Sequence, residues 1–204
     1  GRPFSFAFLA LSKLRFPFLL GVQNGADLLK MPEKKHIKSV YLNGSILKTL
    51  EMIYKEKEGD FVIYSGFEKG DFCYYRPTHF SKEVEPYLKR LKTLTLEPWK
   101  AVESFASSEL PSFPLIKCFG KKKEMEEIAK ELQPFEGIET SVIKDPVSPE
   151  FFLLLITNKK ANKGDAALNL LKIGDCSRPL IVGGDDNNDI PLLKVGDIKI
   201  AMEG

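Results

Sequence analysis

LIVGGDDNNDIPLLKVGDIKIAMEG, residues 180–204, runs from an apolar segment through two glycines and a polar cluster to a helical pattern and a second apolar segment. Short, near-continuous apolar strands separated by a helix are the pattern of strands buried on both faces, as in a parallel sheet covered by helices. The cluster Asp185, Asp186, Asn187, Asn188, Asp189 falls between strand and helix. Like carboxylates repel one another unless a cation or a lysine holds them. Two readings are open here. The cluster is a capped, acidic first helical turn, favoured by the positive end of the helix. Or it belongs to a site for a hard cation such as Mg²⁺, which prefers carboxylate oxygens and retained water. One loop rarely completes such a site, so the second reading needs partners from elsewhere in the chain.

Upstream the pattern continues. FFLLLIT (151–157) reads as another strand of the parallel type, NKKANKG (158–164) as a loop and DAALNLLKI (165–173) as a helix. In open parallel sheets the ligand site lies beyond the carboxyl ends of the strands, where the acidic cluster falls. Lys163 lies just before a helix whose start is marked by Gly164 and Asp165. It is either a solvated loop lysine or an ammonium group that neutralises a phosphate and the nearby carboxylates.

At the other end, RPFSFAFLALSKLRF (2–16) carries Phe4, Phe8, Leu11 and Leu14 at helical spacing, PFLLGVQ (17–23) reads as a buried strand and NGADLL (24–29) as a loop. Residues 30–38 form a charged, Pro-containing connection at a domain boundary. The middle is a mixed α/β module. Its expected helices are 45–58, 81–92, 99–107 and 121–135, and its expected strands 61–67, 71–77, 113–120 and 137–144.

Composition bounds the function. With 204 residues, 43% apolar and 28% charged, the chain can bury a substantial core. A net charge of +2 argues against a dedicated nucleic-acid binder. Cys73, Cys118 and Cys176 form no zinc spacing or disulfide framework, which fits a reducing, cytoplasmic setting. His36 and His79 have no neighbours at metal-ligand spacing. FAFLALSKLRFPFLLGV is interrupted by Ser12, Lys13, Arg15 and Pro17, too charged to span a bilayer. Lys121 to Lys123 read as a solvated face.

NKGDAALNLL, IVGGDDNNDIPLL and AM, in that order, resemble the C-terminal part of haloacid dehalogenase superfamily phosphatases, specifically the Cof-type group. Lys163-Gly164 match the third motif of that group, and Gly184, Asp185, Asn188 and Asp189 match its Gly-Asp-x-x-Asn-Asp. QNGADLL matches its NGA turn at Asn24, Gly25 and Ala26, and GRPF the segment after its second motif. The resemblance implies an α/β fold: a Rossmann-like parallel-sheet core, residues 1–35 and 149–204, with an inserted mixed α/β cap, residues 36–148. It implies Mg²⁺-dependent hydrolysis of a small phosphorylated metabolite, a sugar phosphate or similar, through an aspartyl-phosphate.

Family members begin with a strand ending in Asp-x-Asp, whose first Asp is the nucleophile and second the general acid and base. No such strand, and no second-motif Thr or Ser before GRPF, occurs in these 204 residues. The expectation is that a segment upstream of Gly1 supplies them and completes the core sheet, and that the 204 residues alone do not turn over phosphate esters. In that scheme Lys163 pairs with the nucleophile and the phosphoryl oxygens. Asp185 holds Mg²⁺, and Asp189 orients Lys163 or a metal-bound water from behind. Asn188 and the backbone of Gly1 donate to phosphate, while Arg2 and Asn24 shape the pocket. Two other readings keep the same loops: a non-catalytic phosphometabolite-binding relative, and a sugar phosphomutase of the same superfamily. No cap residue stands out as a substrate reader; Tyr74, Tyr75, Arg76 and Trp99 are weighed against surface and core roles.

Overall fold

The computed structural model describes residues 2–95, 97–105 and 111–201. The first part comprises α1 (Phe4–Leu11), β1 (Phe18–Val22), β2 (Asp27–Met31), β3 (Lys35–Ser39), β4 (Leu42–Asn43) and α2 (Ile46–Tyr54). The middle comprises β5 (Phe61–Tyr64), β6 (Cys73–Tyr75), α3 (Glu85–Thr95), β7 (Trp99–Ala101), β8 (Ser112–Phe113), β9 (Leu115–Gly120), α4 (Lys122–Leu132), β10 (Ile138–Lys144) and β11 (Phe152–Asn158). α5 (Lys163–Ile173), β12 (Ile181–Gly184), α6 (Ile190–Val195) and β13 (Ile198–Ala201) follow. The class is α/β, as the alternation of apolar strands and helices implies. No helix among the described residues is long and apolar enough to cross a membrane.

The largest sheet has six strands in the order β10-β11-β9-β5-β6-β7, antiparallel except for β6 and β7. Alternation along each strand builds two cores. Phe61, Ile63, Ile116, Cys118, Leu154 and Ile156 join Leu47 and Leu50 of α2 and Met125 and Ile128 of α4. Val62, Tyr64, Leu115, Phe119, Leu153 and Leu155 join Tyr87, Leu88 and Leu91 of α3. Burial of β9 and β11 on both faces is what makes them continuous apolar runs.

That burial also accounts for a correction. FFLLLIT was expected among the parallel strands of the last third, yet β11 pairs antiparallel with β9 and β10 in the six-stranded sheet. An uninterrupted apolar run signals burial on two faces and carries no information on strand direction. Residues 30–38 are likewise no open connection: β2 and β3 form an antiparallel hairpin, with β3 an edge strand of charged and half-buried residues. The helix expected over 99–107 is the strand β7 at residues 99–101, and 106–107 lie outside the described residues. β1, β2 and β3 make one antiparallel sheet, while β12 and β13 make a separate parallel pair with α6 between them in sequence.

Two buried carboxylates join the β1–β3 sheet and α1 to the six-stranded sheet. Asp27, with no exposed surface, accepts from Tyr41 Oη at 2.7 Å, Ser39 Oγ at 3.2 Å and the Phe67 N–H at 3.1 Å. His36 Nε2 stands 3.4 Å from the same carboxylate, and its Nδ1 3.3 Å from Glu68. Burial, then the charge and hydrogen bond of Asp27, pushes the Tyr41 hydroxyl well above its usual range, so it stays a donor. Asp71 accepts from the Phe4 N–H at 3.3 Å, the Ser5 N–H at 2.7 Å and Ser5 Oγ at 2.5 Å. It caps the open N-terminus of α1 from a distant loop. Replacing Asp27 by Ala strands the Tyr41 hydroxyl and the Phe67 N–H. Each buried donor left without a partner costs about 1–3 kcal/mol, so Asp27→Ala should lower the unfolding free energy measured by urea titration by an amount in or above that range.

Candidate active site

Three loops converge at the carboxyl ends of β1 and β12. After β1 the chain turns through Gln23 and Asn24, both in the left-handed region with φ of 51° and 61°. Non-glycine residues held there cost free energy and are concentrated at functional sites. Gly25 follows at φ +89°, and a Cβ on it would stand 2.4 Å from Ala166 Cβ and 3.0 Å from the Asn162 carbonyl. Only glycine lets this turn lie against the start of α5. Asn162 caps α5 by accepting from the Asp165 N–H at 2.8 Å. Lys163 is thus the first residue of α5 rather than a loop residue before it. At Gly164 a Cβ would meet the Pro191 carbonyl at 2.3 Å, so α5 and α6 abut there.

This packing assembles a polar network. Lys163 Nζ donates to Asp189 Oδ1 at 2.5 Å and to Asn188 Oδ1 at 3.3 Å. Asn188 Nδ2 in turn donates to Asn24 Oδ1 at 3.3 Å. The Asp185 N–H donates to Asp189 Oδ2 at 3.3 Å. Asp189 is 5% exposed. Burial pushes its carboxyl pKa up, but the hydrogen bond and charge of Lys163 and the N–H groups of Asp185 and Asp186 outweigh that and hold it below the usual carboxylate range. The cluster is therefore divided in role. Asp186 accepts from the Asn187 N–H at 2.7 Å, as a helical turn cap does, and Asn187 Nδ2 donates to the Val142 carbonyl of β10. Among the described residues the exposed Asp185 carboxylate has no ion pair or hydrogen bond of its own.

The network opens on a cavity of about 600 Å³. Arg2, Asn24, Lys163, Asp185, Asn188 and Asp189, all expected site residues, line it. Arg2 is tied to the turn by its carbonyl, which accepts from the Gln23 N–H at 2.8 Å. Gly1 lies outside the described residues. The facing wall is the six-stranded sheet, with Lys117, Ile143, Lys144, Leu153 and Leu155. Donor chemistry fits a hard cation at Asp185: a free carboxylate on the cavity wall beside Asp186 and Asn188, all oxygen ligands. The described residues bring together no group of three His, Cys, Asp or Glu, so such an ion would take further ligands from outside them.

Other candidates serve elsewhere. Arg76, 7% exposed, pairs with Asp60 through Nε at 2.8 Å and Nη2 at 2.6 Å, and with Glu51 at 3.0 Å. It is a structural clamp. Tyr75 packs edge-on against Trp99 under Lys92, and neither they nor Tyr74 line the cavity. His79 is exposed. Lys122 and Lys123 pair with Glu126 and Glu127 on the exposed face of α4. Sequence reasoning missed Gln23 and Lys117. Lys117 had one available signal: it is the single charge within FPLIKCFG, a run otherwise fit for burial.

The profile of the haloacid dehalogenase-like hydrolases matches residues 1–204. Among solved structures, a haloacid dehalogenase-like hydrolase from Bacteroides thetaiotaomicron superposes with a TM-score of 0.75 at 19% identity, over 99% of this chain and 73% of that one. A haloacid dehalogenase-like hydrolase from B. subtilis gives 0.74 at 18% identity, over 99% and 75%. A subclass IIB sugar phosphatase of the superfamily gives 0.73 at 17%, over 99% and 71%. Among curated proteins there is no match. Identities this low speak for the fold alone, but the whole-length family match goes further: the chain belongs to the haloacid dehalogenase-like hydrolases.

Proposed function

We propose that the complete protein is a phosphatase that hydrolyses a small phosphate monoester, with Mg²⁺ as its cation. The observation that carries this is the Lys163–Asp189–Asn188–Asn24 network at the cavity mouth. It fixes one ammonium group and one amide side by side, the ammonium oriented by a single buried carboxylate. Such preorganised donors stabilise charge that develops on a transferring phosphoryl group. Asp189 orients Lys163 from behind. Asp185 would hold Mg²⁺, whose charge polarises a phosphoryl oxygen. Arg2 and Asn24 border the space for the ester.

We place the nucleophile, a carboxylate, on a strand outside the described residues that would pack between β1 and β12. The support is apolar surface without cover. Ile181, Ile198 and Ile200 are 60%, 49% and 53% exposed. A second cavity, of about 620 Å³, runs beside Phe18, Leu19, Leu171 and Ile173 and shares Ala167 and Leu170 with the first. Exposed apolar faces and open strand edges are costly in isolation. We take the β1–β3 and β12–β13 sheets with α5 and α6 as the catalytic core and the six-stranded sheet as its cap.

In the complete protein Lys163→Ala should reduce kcat for p-nitrophenyl phosphate by about 10²–10³-fold; unchanged turnover would remove this lysine from the mechanism. Asp185→Asn should weaken Mg²⁺ binding at least about tenfold, read by calorimetric titration independently of turnover. A third measurement addresses Asp189. Its pKa is depressed on folding, so its contribution to stability is present above the unfolded value of about 3.9 and is lost as pH falls through the folded value. Urea unfolding should therefore show a stability gap between the protein and Asp189→Asn at pH 7 that closes as the pH is taken towards 3.

A further inference from the structure

We propose that the cap-side wall of the cavity, centred on Lys117, is a binding subsite for a second anionic group on the substrate. The preferred esters then carry a carboxylate or a second phosphate rather than an uncharged tail. This rests on the phosphatase reading above.

Lys117 lies in β9 between Ile116 and Cys118, which face the core under α2 and α4. Alternation puts its side chain on the opposite face, with Leu115 and Phe119. It is 7% exposed and lines the same cavity as Lys163 and Asp185. A lysine is almost never buried without a partner of opposite charge. Here the described residues supply no carboxylate within ion-pair distance. The one hydrogen-bond acceptor is Tyr64 Oη at 2.9 Å, whose ring lies 4.9 Å from Nζ. An ammonium group has three donors, so its polar capacity is mostly unused. Burial pulls its pKa down; Cys73, Glu97 and Asp145 offset this only in part, and Arg2 adds to the fall. An anion beside it would remove that cost.

Charge is distributed in the same sense. The carboxylates that line the cavity, Asp185, Asp186 and Asp189, all come from the loop after β12, and Asp189 is neutralised by Lys163. The facing wall contributes Lys117 and Lys144, and Arg2 borders the cavity too. A second observation points the same way. Gln23, also lining the cavity, has no exposed surface, and neither end of its amide has a hydrogen-bond partner. A buried polar group left without a partner calls for an explanation, a bound water or ion among them.

The test compares glycerol 1-phosphate, 2-phosphoglycolate and fructose 1,6-bisphosphate on the complete protein and on Lys117→Met, Lys117→Gln and Lys117→Arg. Two readouts are taken: kcat/KM, and the melting-temperature shift produced by each compound. The protein should favour the two anionic-tailed esters. In Lys117→Met the ratio of their kcat/KM to that of glycerol 1-phosphate should fall about tenfold or more, the usual scale of a hydrogen bond to a charged group. Lys117→Arg should recover most of it. Loss for 2-phosphoglycolate alone assigns the subsite to a carboxylate; loss for the bisphosphate alone assigns it to a phosphate. If Lys117→Met does not fold, the Gln and Arg variants carry the comparison. An unchanged ratio and unchanged melting shifts across all folded variants overturn the subsite. If the protein turns over none of the esters yet its melting discriminates anionic tails and Lys117→Gln loses that discrimination, the subsite stands and the phosphatase reading fails.

Discussion

A carboxylate with no exposed surface determines where the parts of this molecule can meet. Asp27 opens β2, directly after the turn that carries Gln23, Asn24 and Gly25, and it is held by hydrogen-bond donors from Ser39, Tyr41 and the loop at Phe67. A buried charge is tolerated only where enough donors surround it. Those donors come from both the β1–β3 sheet and the loop between β5 and β6 of the six-stranded sheet, so satisfying Asp27 fixes the two relative to each other. Asp71 does the same at a second point by capping α1. The cavity between the sheets follows from these two attachments.

Within that frame the site depends on close backbone approach. Gly25 against Ala166 and Gly164 against Pro191 remove the Cβ atoms that would keep the three loops apart. Lys163 then starts α5 within reach of Asp189, and the strained turn at residues 23–24 aims Asn24 at Asn188. Stability and function draw on the same contacts. Asp189 is buried because Lys163 neutralises it, and Lys163 is oriented because Asp189 is buried. The fold thereby holds the Lys163 ammonium in one orientation beside the cavity.

The two walls of the cavity come from different parts of the fold. One wall is built from the strand–helix turn after β12, where Lys163 meets Asp189. The other comes from the six-stranded sheet, and it offers a buried lysine, Lys117.

The sequence alone determined the parts whose chemistry is contiguous along the chain. Lys163-Gly164, the Gly184-to-Asp189 turn and Asn24-Gly25 were legible because a strand-to-helix turn imposes its glycines, cap and acidic residues within a few positions of each other. The helices expected over 45–58, 121–135 and 165–173 were legible for the same reason, to within a few residues of their observed ends. What the sequence left open is non-local. The apolar run of β11 could not say which strands it joins, because two-sided burial looks the same in parallel and antiparallel sheets. Residues 30–38 looked like a linker because an edge strand need not show an apolar face. Arg76 and Lys117 are both single cations in apolar surroundings, and nothing in their neighbours along the chain separates them. Only the tertiary structure decided that Arg76 meets Asp60 and Glu51 and is neutralised, whereas Lys117 meets a tyrosine and a cavity. Pairing across space sets the electrostatic fate of a buried charge, and that pairing is written in no local pattern.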